Sequence, residues 1–246
     1  MPRLEYKYYI PFQFLDEFRN KISPFLKYDS FTSIKPKKEY TVRSIYLDSR
    51  NLFTYHEKLA GIKSRMKFRI RGYNSQSDDS LVFLEIKRKE DNSVSKDRAS
   101  LLYKDLDNFL KTKNLSLISV KTNDYQKRKI YAQNFLYYFL LYNLQPAVIV
   151  AYEREAFECK FGSGMRLTID KNVRASETNS FSDLYDEEKM VPALKKSFVL
   201  EIKFQNILPS WMPTIMAPFN ITRCSVPKYS LSVDAALKDK FIKHLN

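Results

Sequence analysis

The chain has 246 residues and 44% hydrophobic content, which is enough to bury a sizeable core, and we expect a single domain over residues 1–246. Forty-two Lys and Arg residues against 28 Asp and Glu residues give a net charge of +14, which favours anionic partners such as phosphates, nucleic acid or acidic lipid. The four glycines form neither a Walker phosphate loop nor a dinucleotide-binding motif, so side chains must hold any phosphate.

The few cysteines and histidines exclude further classes of site. Two cysteines form no disulfide framework, and together with a charged N-terminal segment they predict a cytoplasmic protein. The histidines, His56 and His244, are too few for a His-rich metal site, so any metal must bind carboxylates. The most apolar stretch, Phe135 to Leu144, is too short to span a membrane and predicts a packed helix.

Several segments alternate between charged and apolar residues, which is the pattern of a strand with two different faces. In the clearest segment every second residue from Arg65 to Arg71 is a cation, while Met66, Phe68 and Ile70 occupy the other face. In chain order the predicted strands contain Arg3 to Tyr8, Ser44 to Asp48, Arg65 to Arg71, Val82 to Lys89, Tyr152 to Arg154, Met165 to Asp170 and Leu200 to Phe204.

Apolar residues at helical spacing predict helices between and after these strands. Strands and helices do not alternate regularly enough for a parallel βαβ sheet, so the sequence favours an α+β fold with an antiparallel sheet. The predicted helices contain Phe14 to Ile22, Leu106 to Leu110, Tyr125 to Leu144 and Val233 to Phe241.

One face of the predicted strands carries an excess of positive charge. A solvated outer face is the plainer interpretation of a single charged strand, but such a face usually mixes Lys with Glu. The shared excess favours a polyanion, and if the sheet curls into a barrel this face would line a tunnel whose arginines hold phosphate oxygens. Besides the cations of Arg65 to Arg71, the face collects Arg3, Lys7, Lys87, Lys89, Arg154, Arg166 and Lys203.

Three glutamates share this face with lysines two residues further along the chain. The pairs are Glu5 with Lys7, Glu85 with Lys87, and Glu201 with Lys203. Carboxylate oxygens suit Mn²⁺ or Mg²⁺, which often binds through one or two carboxylates plus phosphate oxygens. The alternative is that each glutamate neutralises its neighbouring cations, and the spacing leaves both interpretations open.

A series of blocks resembles the VTC (vacuolar transporter chaperone) polyphosphate polymerase domain, and the blocks follow each other in that family's order over nearly the whole chain. The family is part of the CYTH-like triphosphate tunnel metalloenzymes. The resemblance implies an α+β fold, an eight-stranded antiparallel β-barrel tunnel with flanking helices. The blocks are Arg3 to Tyr8, Ser44 to Asp48, Gly61 to Tyr73, Phe83 to Lys87, Lys96 to Arg98, Tyr152 to Phe157, Arg166 to Asp170, Leu200 to Lys203, Trp211, and Lys228 with Tyr229.

The resemblance also implies roles for individual residues. Glu201 would carry the divalent metal, Mn²⁺ or Mg²⁺, and we add Glu5 and Glu85 as candidate ligands. Catalytic contacts to the nucleotide triphosphate and polyphosphate are expected from Lys7, Arg69, Arg71, Lys87, Arg154 and Arg166. The resemblance also implies phosphate contacts from Lys96 and Lys228. Apart from the resemblance, we expect further phosphate contacts from Arg3, Arg65, Lys67, Lys89, Arg98, Tyr152 and Lys203.

Two positions depart from the patterns of related enzymes. The hydrolytic tunnel enzymes begin with Glu-x-Glu-x-Lys, whereas this chain has Arg3 at the first position, which disfavours simple triphosphatase chemistry. The family reads Ser-Lys-Tyr near its end, but Pro227 precedes Lys228 here, which removes a hydroxyl and a backbone donor.

The function predicted from the sequence is a polyphosphate polymerase that transfers the γ-phosphoryl group of a nucleoside triphosphate, with ATP as the expected donor. The expected partners are ATP or another nucleoside triphosphate, triphosphate and polyphosphate. No specific nucleic acid and no transmembrane segment are expected, and the sequence does not identify a membrane partner. The alternatives are a metal-dependent inorganic or nucleoside triphosphatase and a non-catalytic module that binds polyphosphate or nucleic acid.

Overall fold

The structure, a computed structural model, describes residues 3–90, 93–119 and 124–237, and for Arg3 it describes the backbone without the side chain. The chain forms an α+β fold. The strands are β1 (Arg3–Pro11), β2 (Leu26–Tyr28), β3 (Tyr40–Asp48), β4 (Arg65–Tyr73), β5 (Leu81–Glu90), β6 (Ser93–Leu102), β7 (Gln145–Cys159), β8 (Arg166–Glu177), β9 (Val191–Pro192) and β10 (Ser197–Gln205). The α-helices are α1 (Leu15–Ile22), α2 (Ser30–Ser33), α3 (Phe53–Leu59), α4 (Leu106–Thr112), α5 (Tyr125–Leu141), α6 (Trp211–Met216) and α7 (Lys228–Ala236).

The chain divides into two compact units. The first unit contains Met1–Thr41, Tyr152–Val173 and Leu194–Lys228, and the second contains Val42–Ala151, Arg174–Ala193 and Tyr229–Asn246. Strands β7 and β8 continue from one unit into the other. The prediction of a single domain stays a prediction.

The sheet of the first unit has the strand order β1-β10-β8-β7, and β2 pairs with the end of β7. The described registers of β1 with β10 and of β10 with β8 are antiparallel. One face of this sheet is apolar, and it packs on α1 and α6 because both helices present apolar side chains to it. This core includes Ile10, Phe18, Ile22, Leu167, Ile169, Leu200, Ile202, Met212 and Ile215.

The sheet of the second unit has the strand order β7-β3-β4-β5-β6, and β9 pairs with the end of β8. The registers of β3 with β4, β4 with β5, and β5 with β6 are antiparallel. Helices α4 and α5 cover the apolar face, and the other face carries the charged residues of the alternating pattern. The core of this unit includes Ile45, Phe68, Ile70, Leu84, Ile86, Phe109, Leu110, Phe135 and Leu136.

The predicted fold class is confirmed. Within the described residues, the main path of the sheet has eight strands, β1-β10-β8-β7-β3-β4-β5-β6, and helices cover its apolar side. Every predicted strand and helix is present, although Phe241 lies outside the described residues. In the described ranges none of the helices combines the length and the apolar character that a membrane span requires.

The sequence analysis did not predict the short strands β2 and β9, the helices α2, α3 and α6, or the strand β6. Strand β6 was missed because the first half of Ser93–Leu102 is exposed on both faces and therefore shows no apolar alternation.

Candidate functional site

The cationic face of the second unit comes from strands β3 to β6. Residues directly opposite each other in an antiparallel pair lie on the same face of the sheet. Arg69 of β4 lies opposite Tyr46 of β3 and Glu85 of β5. Glu85 in turn lies opposite Arg98 of β6, so the four side chains form one row across the face. The period of β4 places its other cations in the neighbouring rows of this face: Arg65, Lys67 and Arg71.

Glu85 is a buried carboxylate at the centre of this face. Its Oε2 accepts a hydrogen bond from Nε of Arg69 at 2.7 Å and lies 2.6 Å from Nη2 of the same guanidinium. Arg98 Nε and Lys96 Nζ lie 3.2 and 3.4 Å from its Oε1, and Arg71 Nε lies 3.9 Å from Oε2. Burial alone would raise the pKa of Glu85, but these cations lower it well below its usual range. The carboxylate therefore stays ionised and holds cations of β4 and β6 in place.

Tyr46 and Lys67 are titratable groups beside Arg69. The Tyr46 hydroxyl accepts a hydrogen bond from Arg69 Nη1 at 3.0 Å, and the Tyr46 ring stacks on Tyr229 with 5.0 Å between centroids. Burial would raise the pKa of Tyr46, but the charges of Arg69, Arg71 and Lys67 lower it to about 8. Burial lowers the pKa of Lys67 to about 8, and nearby cations add to this effect although Tyr46 opposes it. Both groups therefore titrate close to neutral pH.

Cations from three neighbouring strands lie together at one end of this face. Lys67, Lys87 and Lys96 lie opposite one another on β4, β5 and β6, and Arg65 lies opposite Lys89 in the next row. Burial is the main cause of the lowered pKa of Lys96, even though Glu85 opposes it. Like charges in adjacent rows repel, so a bound anion would relieve an unfavourable arrangement.

The cationic face of the first unit comes from β1, β10, β8 and β7. Its rows again follow from the antiparallel register, in which opposite residues share a face. Lys7, Glu201 and Thr168 form one row, and Glu5, Lys203 and Arg166 form the next.

Glu201 and Glu5 share two lysines. Lys7 Nζ lies 2.5 Å from Glu5 Oε1 and 3.4 Å from Glu201 Oε2. Lys203 Nζ contacts Glu201 Oε1 and lies 3.8 Å from Glu5 Oε2. Burial opposes the charged form of both Glu201 and Lys7, but Lys203 and Lys7 hold the pKa of Glu201 low, while Glu201 and Glu5 hold the pKa of Lys7 high. Glu201 and Lys7 are therefore charged at neutral pH.

Asp170 organises the other cations of this face. Its carboxylate accepts hydrogen bonds from Nε and Nη2 of Arg154 at 2.6 and 2.8 Å, and Lys228 Nζ lies 2.7 Å from Oδ2. Tyr152 packs beneath both cations, since Arg154 and Lys228 lie 5.3 and 5.0 Å from the centre of its ring. Burial would raise the pKa of Asp170, but Arg154 and Lys228 lower it.

Comparison with known protein families assigns the chain. The family model of the VTC domain matches residues 2–237. The chain belongs to the VTC domain family. The resemblance seen in the sequence is thereby confirmed, and the family supports a domain that handles triphosphates.

Solved structures also resemble this VTC domain. A candidate adenylate cyclase from Bacillus halodurans is 11% identical, covers 92% of this chain and 95% of its own, and has a TM-score of 0.47. A protein from Pyrococcus horikoshii is 14% identical, covers 97% of this chain and 99% of its own, and has a TM-score of 0.44. A candidate adenylate cyclase from Vibrio parahaemolyticus is 9% identical with a TM-score of 0.43, covering 94% of this chain and 97% of its own. No curated protein matches the chain.

The residues around Glu201 fit a divalent metal better than those around Glu85. Glu201 and Glu5 supply carboxylates, and the buried Thr168 Oγ1 opposite Glu201 has no hydrogen-bond partner among the described residues. Hard oxygen donors of this kind suit Mg²⁺ or Mn²⁺ when phosphate oxygens complete the set. Glu201 and Glu5 share two lysines, whereas Glu85 is a single carboxylate among four arginine and lysine side chains, which disfavour a further positive ion there more strongly. Residues 3–90, 93–119 and 124–237 contain no cluster of three or more His, Cys, Asp or Glu able to hold a metal alone.

The predicted site residues of this VTC domain fall into two groups, and their roles stay predictions. The side chain of Arg3 lies outside the described part of the chain. The second unit holds Arg65, Lys67, Arg69, Arg71, Glu85, Lys87, Lys89, Lys96 and Arg98. The first unit holds Glu5, Lys7, Tyr152, Arg154, Arg166, Glu201, Lys203 and Lys228.

The site analysis from sequence assigned no role to Asp170, Thr168 or Tyr46. Asp170 and Thr168 alternate with apolar residues beside Arg166, so the period of the strand already placed them on the cationic face. The signal for Tyr46 was weaker because its strand carries few charges. None of the three is a cation, and the predicted phosphate ligands were nearly all chosen for their positive charge.

Proposed function

We propose that this VTC domain is a polyphosphate polymerase. A terminal oxygen of the acceptor chain would bond to the γ-phosphorus of a nucleoside triphosphate, with ATP as the expected donor. The bond from that phosphorus to the bridging oxygen would break, and the nucleoside diphosphate would leave. This transfer requires no covalent enzyme intermediate and depends on positioning and charge neutralisation.

Membership of the VTC domain family over residues 2–237 is the observation that carries the proposal. The two cationic faces support it. In each unit, buried carboxylates fix arginine and lysine side chains before any ligand arrives, as Glu85 does for Arg69 and Asp170 does for Arg154. Phosphoryl transfer benefits from donors of this kind because they need little reorganisation during the reaction.

The chain's own residues would share the work as follows. Arg69 and Arg154 would donate to phosphate oxygens from guanidinium planes that their carboxylates hold fixed. Lysines would add point charges that stabilise the negative charge developing on the phosphates. Glu201 with Glu5 would hold Mn²⁺ or Mg²⁺, which when bound neutralises phosphate oxygens. The proposed catalytic cations are Lys7, Arg69, Arg71, Lys87, Arg154 and Arg166.

A product assay tests the proposal. Purified protein is incubated with ATP and Mn²⁺, and the products are separated on a gel stained for polyphosphate while orthophosphate is measured in parallel. We expect chains that lengthen with time and disappear when the divalent ion is omitted. The variant Arg88→Ala serves as a control, because Arg88 lies on the covered face of β5 and pairs with Asp97 at 2.8 Å. It should retain chain synthesis.

Two results would contradict a polymerase. Release of orthophosphate without chains would identify a triphosphatase that uses water as the acceptor. Absence of both products, while ATP binding is measured in the same preparation, would identify a binding module.

A further inference from the structure

Asp170 is a fully buried carboxylate on the cationic face of the first unit. Its two oxygens accept hydrogen bonds from Nε and Nη2 of Arg154, and Nζ of Lys228 lies 2.7 Å from Oδ2. Asp170 was not among the residues expected to bind phosphate or metal. Its position between two of the expected phosphate ligands gives it a different role.

We propose that Asp170 is a positioning residue that orients Arg154 and Lys228 toward the phosphate oxygens of a bound triphosphate or polyphosphate, an inference that rests on the proposed function. Asp170 occupies one edge of the Arg154 fork and one side of the Lys228 ammonium group. Among the residues that the structure describes, Nη1 of Arg154 has no hydrogen-bond partner. That nitrogen and the remaining Lys228 protons are therefore available to phosphate.

The geometry requires a carboxylate at this position. The Arg154 guanidinium and the Lys228 ammonium group both lie close to the Tyr152 ring and both contact Asp170, so without a negative charge they would repel each other. A carboxylate accepts from both at once, whereas an amide would present an N–H₂ group to one of the two cations. Burial would raise the pKa of Asp170, but the two cations lower it, which agrees with an ionised group.

A purely structural role would make the same contacts, so the inference needs a control that separates the two. Glu155 provides it. Glu155 lies next to Arg154 in β7, on the opposite face, and it is also buried. Its Oε2 accepts a hydrogen bond from Arg19 Nε at 3.1 Å, and Lys171 Nζ lies 2.6 Å from Oε1. Loss of its charge should therefore disturb the fold as much as loss of the Asp170 charge, without touching the cationic face.

The experiment compares Asp170→Asn with Glu155→Gln. Binding of inorganic triphosphate is measured by isothermal titration calorimetry without divalent ions, and the melting temperature is measured for each variant. We expect Asp170→Asn to weaken binding by roughly 10- to 100-fold, the range typical of residues that orient ligand-binding groups. Glu155→Gln should bind as the wild type does, at a similar loss of melting temperature.

A second variant separates positioning from charge. Asp170→Glu keeps the negative charge but moves it by one methylene, so a positioning role predicts that binding stays weakened although the charge is retained. Wild-type binding by Asp170→Asn or by Asp170→Glu would overturn the inference. Equal loss of binding in Glu155→Gln would also overturn it, because the effect would then follow from the fold.

The binding measurement keeps this inference distinct from the proposed function. A protein that binds triphosphate but makes no chains would contradict the polymerase, while weakened binding in Asp170→Asn would still support the role of Asp170. Chain synthesis by the wild type, together with unchanged binding in Asp170→Asn, would contradict the role of Asp170 alone.

Discussion

Arg69 and Arg154 each use Nε and Nη2 to contact a buried carboxylate. Both nitrogens of Arg69 lie on Oε2 of Glu85, whereas those of Arg154 contact the two oxygens of Asp170 separately. Such a contact fixes the plane of the guanidinium, and a fixed donor loses less conformational entropy when a ligand binds. The carboxylates of both units therefore prepare the cations that we propose to bind phosphate.

The first prediction concerns Arg69. Arg69→Ala should weaken triphosphate binding by about thirtyfold, because a desolvated hydrogen bond to a charged group contributes about 2 kcal/mol. It should also lower the free energy of unfolding, since the buried Glu85 loses its closest partner. Calorimetric titration and thermal unfolding measure the two effects. Arg88→Ala should lower stability without changing binding, and unchanged binding in Arg69→Ala would show that β4 does not contact the ligand.

A change at Glu201 should affect chain synthesis without weakening the binding of triphosphate. Glu201→Gln keeps the shape of the side chain but removes a buried negative charge beside Lys7 and Lys203. Chain synthesis that depends on Mn²⁺ should collapse, while triphosphate binding in the absence of metal should stay similar or tighten. The rate as a function of Mn²⁺ concentration and a metal-free titration measure the two effects. Full Mn²⁺-dependent activity in the variant would exclude Glu201 as the metal ligand.

Lys67 should make ligand binding depend on pH. With a pKa of about 8 in the free protein, its ammonium group loses its proton as the pH rises through 8, and Tyr46 becomes negative in the same range. Both changes remove positive charge, so triphosphate affinity should be flat below pH 7 and should fall between pH 7 and 9. Titrations at several pH values measure this. Lys67→Arg stays charged and should show a smaller fall, whereas an equal fall would assign the effect to other groups.

The same two groups should affect the stability of the free protein with the opposite sign. The pKa of Lys67 is lower in the folded chain than the ordinary lysine value of 10.5, so the unfolded state binds the proton more tightly. The destabilisation is present below the folded pKa and is relieved as the pH rises from about 8 toward 10.5. Tyr46, lowered from 10.0 to about 8, contributes in the same direction.

The two faces of strand β4 differ in their surroundings, because one carries cations and the other packs in the core. Its cationic side carries Arg69 and Arg71, while Phe68 and Ile70 on the other side lie in the core. Because its cations and apolar residues alternate strictly, the sequence predicted which residues lie on each face. Strand β6 was not predicted, since half of it is exposed and its pattern is irregular. The position of β6 in the sheet depends on its register with β5, and a single sequence does not specify that register.

The site was predictable to a similar degree. The alternation of charged and apolar residues and the sign of the charges predicted which cations share a face of each strand. Neither pattern depends on contacts between distant residues. The role of Glu85 was left open, since its neighbours Lys96 and Arg98 come from the strand that was missed. Asp170 was on the correct face, but its partner Lys228 lies far along the chain and meets it through the fold.

A glycine on β4 gives a prediction for the covered side of this strand. A Cβ atom at Gly72 would lie 2.8 Å from Tyr185 Oη and 3.1 Å from Leu184 Cδ2. Gly72→Ala should therefore lower the free energy of unfolding by about 1–3 kcal/mol through overpacking. Chemical denaturation measures it. The loss should shrink when Tyr185→Ala is present, since the clash is removed. A Gly72→Ala variant as stable as the wild type would contradict the close approach.

For the whole molecule, the net charge of +14 is distributed unevenly. Buried carboxylates compensate the cations around Glu85 and Asp170, while Lys67, Lys87 and Lys89 lie together on one face of the sheet. Two aromatic residues of these faces, Tyr46 and Tyr152, are buried and are not available to stack on nucleic acid bases.

A crystal structure with inorganic triphosphate bound would show whether the cationic sheet faces bind phosphate. We expect phosphate oxygens within about 3 Å of guanidinium nitrogens of Arg69 or Arg154, the normal length of a charged hydrogen bond. The carboxylates of Glu85 and Asp170 should keep their contacts with these arginines. Triphosphate bound to exposed lysines on the helices, with both cationic faces empty at saturating ligand, would show that these faces do not bind phosphate.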